Sequence, residues 1–327
     1  MELIINSFGT LLSRDKEGFL IHTTEGKQRI PASSVSSIQL SRGIKVTSDA
    51  ILLAIENEIQ LLFVENGGQL VGRVWSPKYG SISTIRKGQL NFSLSRDALP
   101  WIKQIVKEKI ENQQAFLLAV QLSTQEQSDE LVKSAIRKLD DYLKKIDSLK
   151  GDFVSDAAPS LRGWEGVSSR IYYATLTHFI PKEYGFVKRS QHPATDPVNA
   201  LLNYGYGMLY GKIEGILIKV GIDPYVGVFH RDDYNRPVLV YDIIEKYRIW
   251  IDYVVYAIVS QRAITDEFYS TKEDGSVWLE ALGKRVLIQS VNDYFEEVIT
   301  LNGVNRARIN HIKEYAQEVA QLFKRYN

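Results

Sequence analysis

No cysteine occurs among the 327 residues, which excludes a disulfide framework and any zinc site built on thiolates. Its absence fits the reducing cytoplasm, the expected location. A surplus of either charge is missing too: 40 basic side chains meet 39 acidic ones, for a formal net charge of +1. Nucleic-acid-binding domains are often clearly basic, so if DNA is the ligand the positive charge must be concentrated locally. No run approaches the ~18 uncharged apolar residues of a membrane span. The opening MELIINSFGTLL has neither the basic start nor the long apolar core of a secretory signal, so no membrane partner is expected. Repeats, low-complexity segments and an HExxH zinc-protease helix are absent as well.

What is present divides at one point. The length predicts two domains, given the usual range of about 100–200 residues each, and an apolar fraction of 44% allows each a core. Over residues 1–80, short runs rich in Ile, Leu, Val and Phe read as strands: Leu3–Ile5, Phe19–His22, Ser37–Leu40, Leu61–Val64 and Leu70–Val74. Turn chemistry separates them at Asp15–Gly18, Glu25–Gly26 and Asn66–Gly68, where Gly or Asn tolerates the positive φ of tight turns. Ser48 is placed to cap one helix over Asp49–Asn57. This is a mostly antiparallel β domain ending near Pro77.

Residues 81–96 read as a polar linker, and from Asp97 to the end the period changes to 3.6. Ile102, Ile105, Val106 and Ile110 form one stripe, and Leu131, Ala135, Ile136, Leu139 and Leu143 another. The fold class is therefore α+β, a β domain followed by a larger all-helical domain over 97–327. Asp196-Pro197 has the form of an N-cap followed by proline at the first helical position. The helix it opens carries Gly207, Gly211 and Gly215 at every fourth position, which predicts close helix packing in a soluble core.

Three segments carry residues able to do chemistry. Arg162-Gly163-Trp164-Glu165-Gly166 precedes a helical run over Val167–Phe179, so Glu165 reads as a loop acid bracketed by glycines, with room for a ligand or another backbone. Gly227-Val228-Phe229-His230 follows the turn Gly221–Tyr225. Leu239–Arg248 opens a helix expected to continue through Ile249–Val259, with Asp242 and Glu245 three apart on one face and Arg248 three further on. Two carboxylates and an imidazole suit a divalent cation; the oxygens favour Mg²⁺ or Mn²⁺, and the nitrogen tilts the choice toward Mn²⁺. The same acids also suit a solvated face, with Asp242 pairing Lys246 and Arg248 balancing Glu245.

Taken together and in order, Trp164-Glu165-Gly166, the run Asp196–Tyr206 (DPVNALLNYGY), Gly227-Val228-Phe229-His230 and Asp242-Ile243-Ile244-Glu245 resemble the CRISPR-associated spacer integrases, the Cas one family of the adaptation machinery. The resemblance covers essentially the whole chain. It implies metal ligands at Glu165, His230 and Glu245, with Asp242 either an alternative ligand or a support behind them. It implies a metal-dependent DNA endonuclease and integrase, in which a DNA 3′-hydroxyl attacks a phosphodiester at the edge of a CRISPR repeat by transesterification. Its DNA substrates are protospacer and repeat. Lys182, Lys188, Arg189 and His192, with Arg162 beside Glu165 and Arg248 beyond Glu245, are the expected phosphate contacts. Two attacks at opposite ends of a repeat imply more than one site per complex. The expectation is a homodimer, contacting through the β domain and joined to a small partner protein of the Cas two family. The rival reading is a non-catalytic DNA-bridging scaffold; a helix-turn-helix regulator lacks a short basic recognition helix.

Overall fold

The computed structural model describes residues 1–65, 70–74, 82–124, 129–191, 193–230, 236–301 and 303–327. The expected turn Asn66–Gly68, the boundary at Pro77 and the basic-cluster member His192 lie outside the described residues. The chain divides into two compact units, Met1–Gly80 and Ser81–Asn327. Among the described residues no helix is long and apolar enough to cross a membrane.

In the first unit β1 (Glu2–Ile5) precedes a meander of β2 (Leu11–Asp15), β3 (Gly18–Thr23) and β4 (Gly26–Pro31). There follow β5 (Ser37–Ser41), β6 (Lys45–Val46), α1 (Ser48–Glu56), β7 (Gln60–Val64) and β8 (Leu70–Val74). The strands form two four-stranded sheets, ordered β4-β3-β2-β6 and β1-β5-β7-β8. Antiparallel pairing joins β2 to β3, β3 to β4 and β7 to β8. Three further pairs, β1–β5, β5–β7 and β2–β6, are parallel. Alternation decides which residues face inward: β5 buries Ile38 and Leu40 and leaves Ser37, Gln39 and Ser41 half-exposed. With Leu12, Phe19 and Leu61 they form the centre of this unit's core, each fully buried side chain contributing about 1.5–3 kcal/mol. The cap of α1 falls one residue earlier than expected. Thr47, not Ser48, accepts from the Ala50 amide at 3.3 Å.

The second unit begins with a helix where a linker was expected. In α2 (Ile82–Ser93) the residues Ile85, Gln89 and Phe92 recur along one face and are buried, and Phe92 packs its ring 5.3 Å from that of Phe323. The segment is polar in composition, so its helix is held by this tertiary face. Next come α3 (Ala98–Thr124), α4 (Asp129–Ser148) and α5 (Val154–Leu176), packed on one another. After them α6 (Pro197–Lys219) starts as expected, with Asp196 accepting from the Asn199 amide at 2.8 Å.

Four expectations are corrected here. Glu165 sits in the interior of α5, not in a loop before a helix, and open space surrounds Gly163 and Gly166 rather than a second backbone. The long third segment is two helices, α7 (Val238–Ile244) and α8 (Arg248–Ser260), separated by a turn at Glu245–Tyr247. Along α6, close packing falls at Gly205, where a β-carbon would lie 2.6 Å from Ile251; Gly207 and Gly211 face open space. The C-terminal region is not all helix. Between α8 and the end lie β9 (Tyr269–Thr271) paired with β10 (Val277–Leu279), α9 (Ala281–Glu296), β11 (Val298–Leu301) paired with β12 (Val304–Ala307), and α10 (Arg308–Lys324).

Candidate metal centre

Three elements of the second unit bring the predicted acids together. Glu165 projects from the middle of α5, on the same face that buries Ala158, Leu161 and Tyr172, with Ala157 and Tyr173 flanking it. That burial outweighs the roughly 1 kcal/mol that each helical glycine costs, which is why Gly163 and Gly166 do not open a loop. Glu245 follows α7 at its C-terminal boundary. Both acids meet the ammonium of Lys109, a residue of α3: Glu165 through Oε1 and Glu245 through Oε2. Glu165 Oε1 also accepts from the Ser169 hydroxyl at 3.3 Å, and Glu245 Oε1 accepts from Arg248 Nη1 at 3.0 Å.

The electrostatics follow from these partners. Burial would raise the Glu245 carboxyl, but the Lys109 and Arg248 charges win and hold it at about 2. Burial opposes the Lys109 charge in turn, yet Glu245 and Glu165 outweigh it and raise its pKa. Glu245 Oε2 is buried, and its partner is the Lys109 ammonium.

Asp242 has a different place. Its side chain is 0% exposed, and all its acceptors are in use. Oδ2 takes the amides of Val228 (2.8 Å) and Phe229 (3.1 Å), while Oδ1 takes the amide of His230 (3.1 Å) and the His230 ring Nδ1 (2.7 Å). The carboxylate is thus the clamp that shapes the segment 228–230. Gly227 is required where that segment begins: a β-carbon there would stand 2.3 Å from the His230 carbonyl oxygen and 2.8 Å from Val238. With Nδ1 donating to Asp242, Nε2 is the ring nitrogen left for a ligand. Burial lowers the His230 pKa, but the Asp242 hydrogen bond and charge, with Glu245 and Glu165 behind them, raise it overall.

The predicted phosphate contacts separate into two groups. Lys182 and Lys188 are exposed. Arg189 is not available to a phosphate: its guanidinium donates to Asn199 Oδ1 (2.8 Å) and Asn203 Oδ1 (2.5 Å) and lies over the Tyr206 ring, pinning its loop to α6. Arg248 is likewise turned inward, paired with Glu245 and stacked 4.3 Å from the centre of the Tyr206 ring. Behind it Tyr172, Tyr173 and Tyr206 surround the buried carboxylate of Asp252. Arg162 is exposed but donates to the Phe229 carbonyl at 2.9 Å, tying α5 to the histidine segment. Lys246 pairs with Glu108 of α3, not with Asp242.

Lys109 escaped the sequence reading. It falls on the apolar face of α3, among Ile102, Ile105, Val106, Ile110 and Gln113, all buried. A lysine at a stripe position was the available signal, since a buried ammonium requires partners.

As they stand, no three acids and histidines among the described residues are grouped to coordinate an ion; Lys109 stands between the two glutamates. The donors nevertheless fit a divalent cation in kind. Two carboxylates already share one positive centre, and an imidazole with a fixed tautomer lies in their field.

A family model, CRISPR associated protein Cas1, matches residues 3–293. A CRISPR-associated endonuclease Cas1 of Archaeoglobus fulgidus is 27% identical over 336 residues, covering 99% of this chain and 96% of its own. One from Thermodesulfovibrio yellowstonii is 28% identical, covering 78% and 79%. Among solved structures, a casposase bound to integration product aligns with a TM-score of 0.80 at 20% identity, over 100% of this chain and 92% of that one. A Cas1 protein from Thermotoga maritima aligns at 0.78 and 19% identity, over 99% and 97%. A chain of a Cas6-RT-Cas1–Cas2 complex aligns at 0.80 and 21% identity over 99% of this chain but 35% of its own, so this chain spans about a third of that longer one.

Proposed function

The chain belongs to the Cas1 family of CRISPR-associated proteins, and on that footing we propose that it is a metal-dependent DNA endonuclease and integrase of CRISPR adaptation. The observation that carries the reading is the convergence of Glu165 and Glu245, from separate helical elements, on one buried positive centre. Glu165, His230 and Glu245 would hold a Mn²⁺ or Mg²⁺ ion, which when bound supplies Lewis-acid polarisation of the scissile phosphate. The chain's own side chains do the positioning. Asp242 fixes the tautomer and direction of His230, and Arg248 keeps Glu245 ionised and in place. Exposed Lys182 and Lys188 supply sequence-independent phosphate contacts. The reaction proposed is attack of a DNA 3′-hydroxyl on a repeat phosphodiester: a new P–O bond forms as the bond to the leaving 3′-oxygen breaks. Water in place of the hydroxyl gives hydrolysis.

Two attacks at opposite ends of a repeat call for two such centres. We therefore propose a homodimer through the first unit, whose sheet edges need covering, and a larger two-fold complex with a Cas2-type partner. A Cas2 protein is named with the Cas1 chain in one of the aligned assemblies, which supports that choice. The setting proposed is the cytoplasm, where the array lies.

Replacing Glu165, His230 or Glu245 by Ala is expected to abolish Mn²⁺- or Mg²⁺-dependent cleavage and joining while circular dichroism stays native. A folded Glu165→Ala protein with full activity refutes the site. Loss of activity in all three also sets aside a non-catalytic DNA-bridging scaffold.

A further inference from the structure

Lys109 has no task in the reading above, yet the fold places its charge at the centre of the site. Its side chain is 8% exposed, and an ammonium so buried persists only where opposite charge surrounds it. The two oxygens it meets, Glu165 Oε1 and Glu245 Oε2, belong to the two acids assigned to the divalent ion. We propose that Lys109 is a built-in counter-cation that holds these carboxylates together while no divalent ion is bound, and that leaves when one binds. The inference rests on the metal assignment to Glu165, His230 and Glu245.

Charge balance argues for displacement rather than sharing. Two carboxylates now face two cations, Lys109 and Arg248. A divalent ion added without moving Lys109 would crowd like charges into a buried space where their repulsion is strong. Arg248 is not the one to leave, because it is stacked on Tyr206 as well as paired. Lysine is suited to the exchange: its flexible four-carbon stem lets the ammonium swing while its Cα stays in the helix.

The helix also offers the displaced group a destination. Gln113 lies one turn further along α3, on the same face. It is 5% exposed, and its Oε1 is buried with no hydrogen-bond partner. Unsatisfied buried acceptors are uncommon and costly. An ammonium released from the two glutamates would satisfy this one, so the site has two discrete arrangements: Lys109 between the acids, or Lys109 at Gln113 with the ion between them.

The test is equilibrium Mn²⁺ binding to the full chain, read by electron paramagnetic resonance of the free ion, together with thermal unfolding. Lys109→Met is expected to bind Mn²⁺ roughly tenfold more tightly than wild type, a coupling of ordinary size. Without metal it should melt below wild type, and Mn²⁺ should raise its Tm by more than it raises that of wild type. Lys109→Gln, which keeps a polar end without the charge, carries the same test should the Met variant not fold. Unchanged or weaker Mn²⁺ binding in the Lys109 variants overturns the inference. Glu165→Gln separates the two levels. If it weakens Mn²⁺ binding while the Lys109 variants do not tighten it, only the counter-cation idea fails; if it leaves binding unchanged, the metal assignment itself fails and takes the inference with it.

Discussion

Asp242→Asn is the most informative single substitution away from the proposed ligands. Asp242 presents two oxygens to four donors, three of them backbone amides and one the Nδ1 of His230. Asparagine keeps one oxygen, which can still receive Val228 and Phe229. It puts an NH₂ where the second oxygen was, opposite the His230 amide and ring. The amide then has no acceptor, at a cost of about 1–3 kcal/mol for a buried orphan donor. At about 2–4 °C per kcal/mol for a unit of this size, the fall in Tm is roughly 2–12 °C. The ring responds differently, because Nδ1 now faces a donor and must become the acceptor. The proton moves to Nε2, the nitrogen proposed for the metal. Losses of about 10–100-fold in metal affinity are typical when such a support is removed. The expected result is therefore a folded protein with Mn²⁺ affinity lowered by one to two decades, and activity recovering as Mn²⁺ is raised. Asp242→Ala would leave all three amides unpaired and is a poorer probe. Wild-type Mn²⁺ affinity in a folded Asp242→Asn protein refutes the tautomer argument. Inactivity that saturating Mn²⁺ does not relieve would make Asp242 a ligand instead.

Three further substitutions have distinct expected outcomes. Gly227→Ala should lower both Tm and Mn²⁺ affinity, since its β-carbon would press on the His230 carbonyl and Val238; a variant matching wild type in both measurements contradicts that. Lys188→Ala should weaken DNA binding equally across sequences and reduce the salt slope by about one. Arg189→Ala should leave that slope alone and lower stability by about 2–4 kcal/mol, because its guanidinium holds Asn199 and Asn203. A Lys188 variant with an unaltered slope, or an Arg189 variant with an altered one, reverses the assignments.

The candidate ligands were legible only through the resemblance carried by four segments in order, whereas Asp196-Pro197 marks a helix start through purely local rules. What sequence left open is tertiary. Nothing in the spacing of Asp242 and Glu245 says that α7 ends just before Glu245, or that one carboxylate clamps backbone while the other meets a lysine from α3. Glu165 between two glycines has the local look of a loop, and only the buried face of α5 that it shares with Ala158, Leu161 and Tyr172 makes it helical. The helix α2 was hidden by polar composition, since its stability comes from Phe92 meeting Phe323 more than two hundred residues away. Basic residues are the clearest case. Lys188 and Arg189 are adjacent and equally charged, yet one faces water and the other is spent on two asparagines and a tyrosine ring.

The division into two units with separate cores carries a consequence for how such a protein changes over generations. Leu12, Phe19 and Ile38 answer to one core, while the residues around Glu165, His230 and Glu245 answer to another. Substitutions confined to one core therefore combine nearly additively with substitutions confined to the other, and each core is open to selection at its own pace.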